Sequence, residues 1–257
     1  MTLPVAKPPT PVPPQPNDAV SDAANKIADE SVLERAAADL RAVVTGEVRF
    51  DTAARALYAT DASPYEIKPY GVVLPKSIED IRHTLGVARR YGLPVLPRGG
   101  GTSLAGQTVG AAIVVDVSKY LDRILDFDAA ARTVRVEPGV VRDHLNAFLK
   151  PFKLQFTPDV STTNRANVGG MVANNSAGTR SIKYGKSVDQ VEKMTVMLMG
   201  GTVTEFRALS DGELQEKLKL PGLEGSLYRT VCSVVREHEA EIDARFPKVM
   251  RRVGGYN

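Results

Sequence analysis

The stretch Pro97-Arg98-Gly99-Gly100-Gly101-Thr102-Ser103-Leu104-Ala105-Gly106 decides how this chain is read. Three adjacent glycines cost conformational entropy in any fold. They suit a turn whose backbone comes close to another group and takes up positive φ. Successive N–H groups in such a turn make a concave nest that binds anions. Thr102 and Ser103 add hydroxyl donors, and Arg98 either adds charge or anchors the loop. A tight turn with no ligand is the competing reading; the density of glycine and hydroxyl, followed by Gly106, favours phosphate. Two common phosphate schemes fail on spacing. A dinucleotide G-x-G-x-x-G starting at Gly99 needs glycine where Leu104 stands, and a P-loop ending in Gly185-Lys186-Ser187 needs glycine where Arg180 stands.

Upstream of the loop the pattern alternates helix and strand. Ser31 and Glu34 have capping-box spacing, Leu33, Ala37, Leu40 and Val44 follow at helical intervals, and Gly46 is a plausible stop. A short helix is expected over 53–59 and a strand over 72–74. Ser77 and Asp80 have the spacing of a second capping box. Ile78, Ile81, Leu85 and Ala88 give that helix an apolar face, and Gly92 ends it. Residues 94–96 read as the next strand. Strand, crossover helix and strand predict a parallel pair. Beyond residue 110 the pattern changes to short strands at 112–117, 123–127 and 133–136, then a helical face of Val140, Val141, His144, Leu145 and Leu149. Met194 to Leu198 and Val203 to Phe206 read as a hairpin closed by a two-residue Gly200-Gly201 turn. Leu227, Val231, Val234, His238 and Ile242 read as one long closing helix. The layout predicts an α+β fold with two lobes: a small mixed βαβ lobe over 31–110, and a larger lobe over 111–248 with antiparallel sheet and helices. Residues 1–30, with Pro8, Pro9, Pro11, Pro13, Pro14 and Pro16, read as a disordered or polyproline-like tail.

A second cluster of small residues follows. Pro158-Asp159-Val160-Ser161-Thr162-Thr163 leads to Val168-Gly169-Gly170-Met171, then to Asn174, Asn175, Ser176, Ala177 and Gly178, with Tyr184 and Gly185 beyond. It is a poor core strand and a poor amphipathic helix, and taken alone it reads as a surface loop. Paired with the first cluster it reads as the far side of a site for a long polar ligand.

Composition narrows the classes. Of 257 residues, 33 are basic and 30 acidic, a net charge of +3, too even for a nucleic-acid protein. The hydrophobic fraction of 43% allows a sizeable core. The single cysteine, Cys232, forms no internal disulfide and falls in an apolar helical pattern, so it reads as a buried thiol in a cytoplasmic protein. No apolar run reaches the ~18 residues of a membrane span. His83, His144 and His238 sit on helical patterns without partners at metal-ligand spacing, so no metal site is expected.

With both clusters in view, the sequence resembles the FAD-binding domain of the vanillyl-alcohol oxidase / p-cresol methylhydroxylase superfamily. Within it the sequence resembles the glycolate oxidase subunit, D-lactate dehydrogenase and 2-hydroxyglutarate dehydrogenase type. The carriers are V-V-L-P-K-S-I-E-D-I (72–81), P-R-G-G-G-T-S-L-A-G (97–106), V-E-P-G-V (136–140), P-D-V-S-T-T (158–163), V-G-G-M-V-A-N-N-S-A-G (168–178) and K-Y-G-K-S-V-D-Q-V (183–191). The runs L-K-P-F (149–152) and N-R-A-N-V-G-G-M (164–171) resemble large bacterial proteins that fuse this domain to an iron–sulfur module.

The resemblance implies FAD between two lobes. The loop Gly99, Gly100, Gly101, Thr102 and Ser103 would hold the pyrophosphate through backbone N–H groups, with Pro97, Arg98, Gly106 and Gln107 also part of the cofactor site. Pro158, Asp159, Thr162, Thr163, Gly169, Gly170, Asn174 and Gly178 would line the ribityl and isoalloxazine side. The Val188–Val191 region would meet the adenine by backbone contacts, and Tyr184 and Gly185 belong to the same expected cofactor site. Some relatives bond the flavin to a histidine of the first loop; Thr102 stands there, so the resemblance implies non-covalent FAD. It further implies oxidation of a small 2-hydroxy acid (D-lactate, glycolate or 2-hydroxyglutarate class) with hydride passing to flavin N5, and an electron acceptor or iron–sulfur partner domain or subunit. No catalytic base is expected here: residues 249–257 look like the entry into a cap domain that supplies it, so the chain reads as a fragment, a split subunit or a truncated reading frame, with Arg251 and Arg252 a solvated basic pair that could reach substrate in a complete enzyme. A non-catalytic FAD-binding module, or the flavin subunit of a multi-subunit complex, is the alternative. A flavin subunit of a molybdenum hydroxylase and a sugar-nucleotide reductase fit the second cluster's spacing less well. A nucleotide-binding assembly module without redox role stays open.

Overall fold

The computed structural model describes residues 28–249. The expected proline-rich tail, up to residue 27, and the residues after 249, with Arg251 and Arg252, lie outside them. The first helix, α1 (Glu30–Val43), begins one residue before the expected cap: the Asp29 carboxylate accepts the Ser31 N–H at 2.8 Å, so Asp29 and not Ser31 caps it. Aspartate caps as well as serine, and its upstream position takes the amide first. The helix buries Leu33, Ala36, Ala37 and Leu40 and ends at Val43, with the extended Val44 as its C-cap, ahead of Gly46. Gly46 has a different task, because a Cβ there would lie 2.1 Å from the Leu74 carbonyl oxygen.

β1 (Glu47–Arg49) runs antiparallel to β2 (Gly71–Leu74), with α2 (Thr52–Leu57) between them in sequence. Ser77 caps α3 (Ile78–Tyr91) through the Asp80 N–H, and Gly92 ends it in the left-handed region at φ 65. Asp80 does not return the bond as a capping box would. Its buried carboxylate turns to the N–H groups of Thr45, Gly46 and Lys76 at 2.8–3.0 Å, tying the end of α1 to the start of α3. Burial alone would raise the Asp80 pKa; these donors overcome it, and the net shift is downward.

β3 (Val95–Arg98) and β4 (Ile113–Asp116) complete a four-stranded sheet ordered β1-β2-β4-β3. β2 and β3 are parallel, as expected, but not neighbours: β4 lies between them, parallel to both. The boundary drawn near residue 110 therefore cuts through this sheet. Ile113, Val114 and Val115 are buried on both faces, as a central parallel strand requires. On one face Val73 and Ile113 pack under α1 and α3 with Leu40, Val87 and Leu93. On the other Val72, Leu74 and Val114 pack with Tyr58, Leu96 and Tyr120.

The rest is less sheet-like than expected. β5 (Ile124–Asp128) with β6 (Thr133–Val136), and β7 (Lys193–Met197) with β8 (Val203–Arg207), form two separate antiparallel ladders. α4 (Arg142–Leu149) packs Leu145 and Leu149 with Val140 and Val168 above the first ladder. In the second, Leu198 pairs with Thr202 at 2.8 Å, so three residues, not two, connect the strands, with Gly201 at φ 80. Short helices α5 (Val168–Ala173) and α6 (Ser181–Tyr184) carry the second cluster. α7 (Asp211–Lys219) is followed by α8 (Gly222–Glu237) and α9 (Glu239–Arg245), so the expected single closing helix breaks at His238, whose φ and ψ are −111 and 14. Cys232, expected buried, is half-exposed, because Val231, Val234 and Val235 around it face solvent.

Candidate functional site

The glycine loop leaves the C-terminal end of β3 and is held from behind. The Arg98 guanidinium donates to the carbonyls of Tyr58 (3.2 Å), Thr60 (2.8 Å) and Thr108 (3.0 Å), and stacks 5.1 Å from the Tyr58 ring centroid. Arg98 is therefore the anchor of the loop. Tyr58 in turn donates its hydroxyl to Asp116 at 2.5 Å; burial and that carboxylate both push its pKa up, so it stays a phenol. Ala62 donates its N–H to the Gly101 carbonyl (3.0 Å), and Asp61 accepts from Thr108 (2.8 Å). Tyr58 to Ala62 thus form the backing of the loop, a role with no local sequence signal. Pro97 remains in β3, opposite Val115.

Three of the loop's glycines are explained by close approach. A Cβ on Gly99 would lie 2.7 Å from Asn167 Oδ1, one on Gly100 2.3 Å from the Arg165 carbonyl oxygen, and one on Gly101 2.6 Å from Arg98. Gly101, at φ 62, and Gly106, at φ 75 under the Tyr65 ring, are also left-handed. Among the described residues, no acceptor is bonded to the main-chain N–H of Gly99, Gly100, Gly101, Thr102 or Ser103. Five consecutive donors without an internal partner fit the phosphates of a dinucleotide.

The first two glycines rest on residues 165–167, so the two clusters meet. A second link runs from Ser103 to the Gln107 side chain, whose Nε2 donates to Asn174 Oδ1 at 3.0 Å. Asn167, absent from the expected site, is the pivot. It is buried, its Nδ2 donates to the Gly139 carbonyl, and its Oδ1 has no partner although it is shut off from solvent. Thr157 Oγ1, one residue before Pro158, is a second buried atom without a partner.

The two halves of the second cluster are zipped together. Asp159 forms a parallel bridge with Gly178, donating its N–H to the Ala177 carbonyl at 2.9 Å, and Gly178, at φ 110, has no room for a Cβ. The Pro158 carbonyl accepts from Arg142 at 3.0 Å. Thr162 O closes a turn onto Arg165 and Ala166, and the Thr163 hydroxyl is spent on Asp143 at 2.9 Å. Gly169 donates to the Pro138 carbonyl at 2.9 Å and abuts that ring, which gives the V-E-P-G-V motif a structural role. A Cβ on Gly170, by contrast, would meet nothing within 4 Å. Tyr184 and Gly185 close a tight turn in which Asp189 caps Lys186 at 2.7 Å. The Val188 N–H is committed to Asn175 Oδ1 at 3.1 Å, and Val188 is exposed. Val191 follows that turn and leads into β7. Among the described residues, no three His, Cys, Asp or Glu side chains are placed to hold a metal ion, and no helix is long and apolar enough to cross a membrane.

A mixed sheet, a glycine loop of unpaired amides and a facing small-residue segment define an α+β domain built to hold a nucleotide cofactor. A family model described as an FAD binding domain matches residues 69–207, more than half of the chain, and the chain belongs to that family. It is 39% identical over 216 residues to D-2-hydroxyglutarate dehydrogenase of Pantoea ananatis, covering 83% of this chain and 21% of that protein. It is 32% identical over 164 residues to a glycolate oxidase subunit of Bacillus subtilis, covering 62% and 35%. The chain thus spans about a fifth of the length of the first of these relatives. The structure of p-cresol methylhydroxylase with substrate bound shares the fold at 17% identity, with a TM-score of 0.59 over 69% of this chain and 36% of that one. The cofactor class is FAD.

Proposed function

We propose that Gly99–Ser103 hold the FAD pyrophosphate through main-chain N–H groups, in two lobes joined at Asn167. One lobe carries the loop. The other carries Pro158–Thr163 and Gly169–Gly178 along the flavin side and Tyr184–Val191 towards the adenine. The observation that carries this is the run of five unpaired amides packed directly against residues 165–167. Thr102 offers no histidine for a covalent link, so the cofactor is held without one. When bound, FAD supplies a two-electron acceptor. The chain's own part is to grip and orient it: Arg98 and Ala62 fix the loop's shape, and Gln107 and Asn174 tie its far end to the second cluster.

For the whole protein we propose oxidation of a small 2-hydroxy acid, passing electrons to an acceptor or an iron–sulfur partner domain. The relatives' names, D-2-hydroxyglutarate dehydrogenase and glycolate oxidase subunit, support this. The single cysteine supports a cytoplasmic setting. The groups that bind the substrate carboxylate and take its hydroxyl proton belong, in this proposal, to the further sequence such relatives carry.

Titration of the purified chain with FAD, followed by flavin fluorescence, tests the core of the reading: one FAD per chain is expected. Acid precipitation should then release all the yellow colour, and colour kept on the pellet would refute the non-covalent attachment. D-lactate, glycolate and 2-hydroxyglutarate, added anaerobically, should bleach the isolated chain's flavin slowly. A colourless chain that takes up no FAD would instead be an assembly module.

A further inference from the structure

We propose that a basic groove beside α4 binds a small dianion, at a site separate from the FAD nest. The groove, about 430 Å³, is lined by Arg142, Asn146, Lys150, Lys153, Asp159 and Arg180, among others. None of these belongs to the loop 97–107, and only Asp159 is shared with the second cluster.

Its charge is out of balance. Four cations stand against two carboxylates, Asp143 and Asp159, and Asp159 is saturated: it accepts from Thr179 Oγ1 at 3.1 Å and sits 3.4 Å from both Arg142 and Arg180. The Arg142 guanidinium is buried and fixed by the Pro158 carbonyl (3.0 Å) and Asp143 (3.3 Å). The Asn146 carboxamide is bonded both ways to Phe156, so the floor is rigid. Lys150 and Lys153, by contrast, have no carboxylate partner among the described residues.

The backbone adds a second sign. Lys153 lies in the left-handed region at φ 59, a conformation that residues with a Cβ rarely adopt. A glycine would end the turn Lys150–Phe152 more easily, yet a cation stands at the rim. Two unpaired ammonium groups beside a fixed guanidinium match a ligand with two oxyanion groups. The volume holds more than a single inorganic ion. Carboxylate and phosphate share this chemistry, and the test separates them.

Calorimetric titration of the purified chain with glutarate, and separately with inorganic pyrophosphate, should show one-to-one binding of at least one probe with a Kd of about 1 mM or tighter. Preference for glutarate marks a dicarboxylate ligand; preference for pyrophosphate marks a phosphate ligand. Lys150→Glu with Lys153→Glu should weaken binding at least ~tenfold and leave FAD uptake unchanged. Lys219→Glu, on α7, should change neither. Lys153→Gly relieves the strained turn and secures a folded variant with one cation fewer, which should also bind more weakly. Failure of both probes to bind, undiminished binding by the charge-reversed variant, or displacement of the probe by FAD would overturn the proposal. FAD uptake is read separately, so these results leave the flavin assignment standing.

Discussion

Gly100→Ala should abolish most FAD affinity while leaving the chain folded. The added Cβ would lie 2.3 Å from the Arg165 carbonyl oxygen and 3.3 Å from both Arg165 C and Asn167 Oδ1. An ordinary carbon–oxygen contact is about 3.3 Å or more, so the loop or the Arg165 turn must give by roughly 1 Å. Arg165 is braced by its N–H to Thr162 O at 3.0 Å, and Ala166 by the same carbonyl at 2.8 Å, so the loop is the part that yields. A displacement of about 1 Å stretches an N–H···O bond from ~2.9 Å past the ~3.5 Å at which it ceases to be one. Each bond to a charged group contributes about 1.5–3 kcal/mol, so losing two costs at least about 3 kcal/mol. That is roughly a hundredfold in Kd. The assay is FAD titration by flavin fluorescence, with thermal melting of the apo chain beside it. Gly86→Ala is the control: it sits within α3 with nothing near its Cβ, so it should raise stability by about 1 kcal/mol at most and leave FAD affinity alone. Gly100→Ala binding FAD within about threefold of the parent, with an unchanged melt, would refute the nest, because a threefold change is well under 1 kcal/mol.

Three other outcomes follow from the same contacts. Asp80→Ala strands the N–H groups of Thr45, Gly46 and Lys76 and should cost about 3 kcal/mol or more, read by urea unfolding; a loss under about 1 kcal/mol would contradict the network. Gln107→Ala cuts the 3.0 Å link to Asn174 and should weaken FAD about three- to tenfold, visible as faster flavin release in a chase with excess apoprotein. Lys119, Tyr120 and Arg49 hold the Glu47 carboxyl down at about 2 against an ordinary 4.5. A depressed folded-state pKa stabilises above pH 4.5, and that contribution fades as pH falls from 4.5 to about 2. Glu47→Gln should therefore flatten the acid limb of a stability–pH curve; an unchanged slope would remove Glu47 from it.

Local features were readable where one short pattern settles one structure. The α3 helix, with Ser77 at its start and Gly92 at its end, is such a case, and so is the glycine loop. Where two nearby residues compete for one role the sequence is ambiguous: Asp29 took the cap expected of Ser31, and Gly200-Gly201 served a three-residue connection as readily as a two-residue one. Strand order is a different matter. The apolar run 113–115 marks a buried strand, but nothing local says that it inserts between β2 and β3. The same limit hid Asn167 and Tyr58–Ala62, whose importance lies in partners far along the chain.

Those hidden residues explain how the loop can serve as a binding site at all. Five amides with no internal acceptor cannot hold their own conformation, so other groups must impose it. Arg98 does so through three carbonyls, Ala62 through the Gly101 carbonyl, and the wall of Arg165 and Asn167 by contact. Ordering a free loop costs about 1–2 kcal/mol per residue, a charge that would otherwise fall on the ligand. Because the scaffold has met that cost on folding, the N–H groups are presented ready to bond. Asn167 is then a positioning residue: Asn167→Ala removes one side of the wall and should weaken FAD chiefly through a slower, loop-ordering association. Asn167→Asp keeps the size but replaces the Nδ2 donor to the Gly139 carbonyl with an oxygen and sets a buried negative charge against the Gly99 turn, so it should weaken FAD more than alanine does, with the apo melt measured beside it to separate lost stability from repulsion of the pyrophosphate.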